Sequence, residues 1–324
     1  MPRSTGEGRD PVIERRVGAL LNVAREFGTG VPLPELVRLL PSEAGMDESV
    51  LRGLFEQAPF LGRIEGELAL PACGNVTGLA DRRARGRQLQ SVADAWIPTG
   101  LGASLRWTRC LGLTGSVAFG EPQAGDDLDF FVVARPGSVW IFLVLTYLSI
   151  RLRSRPRLDG EPVIACFNFV IDDVRARTEF ARPRGFQFAR EALSMRILKG
   201  ESYYQDLLRA SPWMSKEIPR LYAERISSGT RPSESPTPLF ARVVNACLFP
   251  VLAGYLQLAG LYRNARSRRS GSVSESFRSE TTLRRLVFTS RKWQRLADHY
   301  RDASVGEGSV PEEGLTPTGR AAGG

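Results

Sequence analysis

Two short stretches of this chain carry residue types that can do chemistry together. They are Gly115-Ser116 and the pair Asp127 and Asp129, all inside LGLTGSVAFGEPQAGDDLDFFVV, residues 111–133. Residues i and i+2 of a strand face the same side, so Asp127 and Asp129, at the start of an apolar strand over 128–133, project together. Two carboxylates set side by side repel each other unless a cation sits between them, and hard oxygen ligands suit Mg²⁺. Residues 111–114 read as another apolar strand, ending at Gly115-Ser116. Gly115 lets the backbone turn close to a ligand, and Ser116 offers a hydroxyl and an amide donor. A helix beginning near Val117 would aim its unpaired N–H groups at a phosphate. A divalent-cation site one loop away from a phosphate cradle is what a nucleoside triphosphate requires. The plain alternative is a polar loop in which Asp126, Asp127 and Asp129 serve as turn and cap residues.

The rest of the composition leaves carboxylates as the ligands to look for. His299 is the only histidine, which excludes a His-ligated zinc site and any multi-histidine catalytic centre. Cys73, Cys110, Cys166 and Cys247 lie far apart without a CxxC pair, arguing against a zinc knuckle and a disulfide framework and for a reduced, cytoplasmic chain. The N-terminal MPRSTGEGRD has no apolar core, so no secretory signal is read there. With 324 residues, 42% of them hydrophobic, the chain has length for two domains with real cores.

A hydrophobic strand, Gly-Ser, a spacer of ten residues and then Asp-x-Asp between apolar residues resembles the nucleotidyltransferase superfamily typified by DNA polymerase β. The resemblance extends over about residues 11–300 to uncharacterised bacterial and archaeal nucleotidyltransferase-like proteins. It takes in VIACFNFVIDD (163–173) and FQFAREALSMRILKGESYYQDLLRASPW (186–213), two segments less specific than the first. It implies transfer of a nucleoside monophosphate from an NTP to an acceptor, with Asp127 and Asp129 catalytic and holding Mg²⁺, and Gly115 and Ser116 binding the nucleotide. The superfamily has a third carboxylate on a later strand. Here that strand is 163–171 and the aligned residue is Asn168, which hydrogen-bonds but is no general base. Asp172 and Asp173 follow the strand, as substitutes for that carboxylate or as turn residues.

These residues need elements to position them, and the pattern implies an α+β chain. Ile13, Val17, Leu20, Leu21, Ala24 and Phe27 form one helical stripe; Pro34 opens a second helix through Leu40; Asp47 caps a third that buries Val50, Leu51, Leu54 and Phe55. Residues 60–70 read as a hairpin around Glu65-Gly66. That is the outline of a winged-helix-like domain (11–75). A connector helix (76–100), arginine-rich over 79–97, leads to a central mixed-sheet nucleotidyltransferase domain (101–182). A helical extension (183–226), a linker (227–238), a C-terminal helical basic region (239–302) and a disordered tail (303–324) complete the chain. In the extension, Phe188, Leu193, Ile197 and Leu198 make one stripe, and Arg190 and Glu191 are placed as surface pairs or nucleotide contacts.

The net charge is +9 and only three of the 44 basic residues are lysines. The excess is local: residues 263–295 hold ten basic residues against Glu275 and Glu280, a charge of 10 − 2 = +8. Residues 31–70 hold seven acids against Arg38, Arg52 and Arg63, the wrong sign for reading DNA. DNA binding by the N-terminal domain is therefore disfavoured. The uncharged run 243–262 is long enough to cross a bilayer. Asn245, Pro250, Gly254, Gln257 and Gly260 inside it favour a buried or groove-packing helix over membrane association. Two functions stay open: a Mg²⁺-dependent nucleotidyltransferase acting on a protein, small-molecule or RNA acceptor, and a catalytically impaired module of the same fold that binds NTP, RNA or protein.

Overall fold

Asp10 accepts the amide of Val12 and caps the first helix, α1 (Pro11–Glu26), in the structure, a computed structural model. Residues 10–41, 46–73, 78–152, 155–227, 236–269, 278–289, 291–301 and 303–304 are described. The stripe Val17, Leu20, Leu21 and Ala24 is buried against α2 (Leu33–Leu39) and α3 (Glu48–Gln57). Asp47 caps α3 through the amides of Ser49 and Val50. Leu51 and Phe55 are the buried side of α3, whereas Val50, one step of about 100° round the helix from Leu51, points to solvent. The hairpin around Glu65-Gly66 is β2 (Gly62–Glu65) and β3 (Leu68–Pro71); β1 (Val31–Pro32), between α1 and α2, pairs with β3 as a third antiparallel strand.

The arginine-rich α4 (Leu79–Gly100) has an apolar side as well, and Leu89, Ala93, Trp96 and Ile97 are buried on one face of the central sheet. One turn, α5 (Gly102–Leu105), precedes β4 (Thr108–Thr114). A second single turn, α6 (Gly115–Ala118), and a loop lead into β5 (Leu128–Ala134). The chain then crosses over through α7 (Val139–Leu152) and a small hairpin, β6 (Arg157–Leu158) and β7 (Glu161–Pro162), to β8 (Ala165–Asp172), which lies parallel to β5. Further strands come from later in the chain: β9 (Arg196–Lys199), β10 (Arg278–Thr282) and β11 (Arg285–Thr289). The six-stranded order is β10-β11-β8-β5-β4-β9, antiparallel except for β5–β8. The molecule is thus α+β with a mixed sheet.

Two segments depart from the helical reading. Over 186–226, α9 (Gly185–Ser194) ends at Met195, and Arg196–Lys199 pair with the outer edge of β4. Ile197 and Leu198 therefore lie in a strand, not on the stripe of Phe188 and Leu193. The β4 edge presents backbone groups that need partners, and a short apolar run supplies them. Helices resume as α10 (Glu201–Arg209), α11 (Met214–Glu217) and α12 (Pro219–Arg225). The region 239–302 is likewise not all helical, because the β10–β11 hairpin stands between α13 (Leu239–Arg269) and α14 (Arg291–Arg301). Leu286 and Val287 in that hairpin are buried beside β8.

Part of the basic stretch is bound by acids of the same chain: Arg284 to Asp172 at 3.6 Å, Arg285 to Glu179 at 3.5 Å and Arg295 to Glu26 at 2.8 Å. The long apolar run also differs from its expected burial, since only 17% of its most apolar window is buried. One seam of α13, with Asn245, Phe249 and Ala253, packs against α7 and the sheet, and the rest faces outward. Most of the linker (227–238) and tail (303–324) lies outside the described residues. Ala303, at the start of the tail, is buried, and its carbonyl accepts from Arg16 at 2.8 Å.

Candidate functional site: two aspartates, a thiol and an amide

Alternation along β5 sorts its side chains between two cores. Leu128, Phe130 and Val132 enter the core beneath α4 and α7, while Phe131 and Val133 enter the core that holds Phe180 and Phe186. Asp127 and Asp129 share the second face by the same alternation, as the DxD spacing predicts. On β8 the partner of Asp129 is Cys166; the register then slips, so that Phe131 faces Phe169. Two consecutive residues of β8 therefore address this face: Phe169 stacks on Phe131 at 5.4 Å, and Asn168 reaches Asp129. Phe167, between Cys166 and Asn168, turns to the other core and stacks on Phe130 at 5.2 Å. This bulge aims a polar side chain at the aspartates.

Four side chains meet there. The Cys166 thiol donates to Asp127 Oδ2 at 2.6 Å, and Asn168 Nδ2 donates to Asp129 Oδ1 at 2.5 Å. One ligand atom each from Asp127, Asp129 and Cys166 lies within 4.8 Å of the others, and all three residues are half-buried. Burial raises the Cys166 pKa, and the bond to Asp127 and the charges of Asp127 and Asp129 raise it further, so the thiol keeps its proton. A bound cation would reverse that balance and make the sulfur a potential ligand. Sequence reasoning missed Cys166. The signal was available, since Cys166 precedes Asn168 by two residues on one strand.

The Gly115 turn sits against this cluster. Gly115 has φ +68°, and a Cβ built there would stand 2.8 Å from Asp129 Oδ2. The structure thus brings Gly115 to the aspartates, but the donors expected to face a phosphate have protein partners. Ser116 Oγ donates to Asp126 Oδ2 at 2.7 Å, an oxygen that also accepts the Gln123 amide at 2.8 Å. The Gly115 amide donates to Glu191, whose carboxyl pKa is raised chiefly by burial and opposed by the charge of Arg190. The helix after Gly115 is a single turn ending at Ala118.

Arg190 and Glu191 are not simple surface pairs. The Arg190 guanidinium lies 4.5 Å over the Phe119 ring, donates to the Tyr300 hydroxyl and stands 3.6 Å from Glu35. The loop 119–126 is also tied to the N-terminal helices: Gln123 Nε2 donates to Phe27 O at 2.8 Å, and Thr29 Oγ1 donates to Glu121 at 3.0 Å. On the other side Gln90 of α4 donates to Val117 O.

Asp172 and Asp173 do not reach the cluster. Asp172 pairs with Ala134, six residues beyond Cys166, or roughly 20 Å along the strand at about 3.3 Å per residue. It caps α8 (Asp173–Ala181) through the Arg175 amide, and Asp173 accepts from Tyr203 and from Arg177. Both are structural at the far end of the sheet. No protein-family model matches the chain, and no curated protein or solved structure is significantly similar to it.

Proposed function

We propose that the chain is a Mg²⁺-dependent nucleotidyltransferase related to the DNA polymerase β superfamily, with a winged-helix-like N-terminal domain that does not read DNA. It would transfer NMP from an NTP to an acceptor hydroxyl. The observation that carries this reading is the placement of Asp127 and Asp129 on one sheet face, in contact with the Gly115 turn. The donor set fits a hard divalent cation through the two carboxylates; the thiol of Cys166 is a poor Mg²⁺ ligand, so Asp127 and Asp129 would hold the ion. When bound, the ion supplies charge neutralisation for the triphosphate.

The chain's own residues would do the rest. Gly115 allows the backbone to approach the phosphates without a side chain, and Ser116 can exchange Asp126 for a phosphate oxygen. Asn168 orients Asp129 through its amide. The acceptor oxygen bonds the α-phosphorus as the bond to the leaving pyrophosphate breaks. Because Asn168 is no base, the hydroxyl proton passes to solvent.

A second reading is favoured by two contacts. Asn168 donates to Asp129, and Glu191 occupies the Gly115 amide, as suits a module of the same fold that binds NTP, RNA or protein without turnover. Calorimetry with ATP and GTP in Mg²⁺, followed by transfer of labelled NMP to lysate acceptors, separates the two. The enzyme reading expects NTP binding and label transfer that Asp127→Ala with Asp129→Ala abolishes and Asn168→Asp increases. Binding without transfer leaves the module; equal labelling by wild type and the double variant removes the enzyme.

A further inference from the structure

Among the described residues, the outward side of α13 has no partner. Its inward seam is well held: the Trp140 amide donates to Asn245 Oδ1 at 2.8 Å, and the Trp140 and Phe249 rings lie 5.3 Å apart. The opposite stripe, Phe240, Val244, Cys247, Val251, Tyr255, Leu258 and Tyr262, repeats every three or four residues and is exposed throughout. With Leu239, Val243 and Leu261, nine large apolar side chains of α13 are between 43% and 76% exposed. Together they bare on the order of 1,000 Å², beyond the few hundred that a soluble monomer ordinarily leaves open. The neighbouring α7 also exposes Tyr147, Leu148 and Leu152.

We infer that this face of α13 docks onto an anionic lipid surface, with the helix lying in the interface plane. Charge selects the occupant. Residues 239–274 contain no Asp or Glu, whereas Arg242 lies near one end of the stripe and Arg263, Arg266, Arg268 and Arg269 follow the other. An apolar face with basic ends matches acyl chains beneath phosphate headgroups. A second copy of the chain fits less well. Parallel pairing of two α13 helices sets Arg242 beside Arg242, and antiparallel pairing sets it beside Arg263–Arg269, so like charges meet either way. The stripe from Phe240 to Tyr262 covers 23 residues, about 33 Å at about 1.5 Å per step, which is enough to cross a bilayer. The inward seam, fixed to α7 and the sheet, is what keeps the helix lying on the surface.

Flotation of the full-length protein tests this, using phosphatidylcholine vesicles with and without about 30 mol% phosphatidylglycerol. The protein rises with the anionic vesicles, less with neutral ones, and less again in high salt. A second readout uses an environment-sensitive fluorophore on Cys247 in the Cys73→Ser protein, which shifts to the blue on adding anionic vesicles. Val251→Glu with Leu258→Glu changes only exposed positions, so its circular-dichroism melt stays that of the wild type while flotation is lost. Three results would overturn the inference: no flotation with either vesicle, a Cys247 label unmoved by lipid, or self-association or capture by a protein partner that alone shields the label.

Discussion

Gly115→Ala is the sharpest perturbation of the cluster because its two effects can be separated. At φ +68° an alanine bears the left-handed cost of about 1–2 kcal/mol, offset by about 0.4–1 kcal/mol from the stiffer unfolded chain, a net loss near 1 kcal/mol. For a molecule of this size that lowers Tm by about 2–4 °C. The new Cβ also stands 2.8 Å from Asp129 Oδ2, so the carboxylate must rotate away from the position in which it would share the proposed cation with Asp127. Gly120 has φ +80° with nothing within 4 Å of its Cβ position, so Gly120→Ala has the same backbone cost and leaves Asp129 untouched. A cation at ten times its Kd stabilises the folded state by about 1.4 kcal/mol, or roughly 3–6 °C. Melts with and without Mg²⁺ or Mn²⁺ should show that increment in wild type and Gly120→Ala and lose it in Gly115→Ala. Equal increments in the two variants would show that Asp129 does not hold the ion, and the site argument would fail.

Two further perturbations test how the site is supported. Arg16 is fully buried, pairs with Glu217 at 2.9 Å, donates to the Ala303 carbonyl and lies 4.1 Å over the Phe186 ring. Arg16→Met leaves the Glu217 carboxylate buried without its guanidinium and should cost about 3–5 kcal/mol in urea unfolding. Glu191 has a folded pKa raised by burial, so its neutral form is the one folding favours; that stability is present at low pH and is lost as pH rises through the folded pKa. Glu191→Gln keeps an acceptor for the Gly115 amide, so it should melt above wild type at pH 7, with the difference closing towards pH 4. An unchanged difference across that range would mean that Glu191 carries no titration penalty.

What the chain reveals without coordinates divides along the range of the interactions. The cap at Asp47, the hairpin at Glu65-Gly66 and the common face of Asp127 and Asp129 depend on residues within a turn or a strand of each other, and all are readable locally. Cys166 is different. Its place beside Asp127 depends on the parallel β5–β8 register, set by a crossover through α7. The bulge that brings Asn168 to Asp129 depends on that register too. Arg196–Lys199 and the 278–289 hairpin hide for a related reason: each becomes a strand only because a distant edge, β4 or β8, needs a partner. Arginines in the hairpin then read as a free basic surface, although Arg285 is largely buried beside Glu179 and the exposed Arg284 is paired with Asp172 of the same chain.

The two β8 residues at the cluster bear on how a cation would be held. Asp127 and Asp129 each accept a hydrogen bond from a neutral donor, Cys166 and Asn168 respectively. A hydrogen bond from an amide to a charged acceptor contributes about 1.5–3 kcal/mol and one from a thiol less, and both offset part of the repulsion between two carboxylates in a half-buried site. These two donors hold the aspartates where they stand. An entering ion must displace donors already in position, and that cost weakens its net affinity. An aspartate at position 168 would remove one donor and add a third negative charge, making a cation necessary to hold the cluster. On the proposed function, the asparagine would suit a site that holds a cation weakly, or together with a ligand whose phosphates complete the coordination.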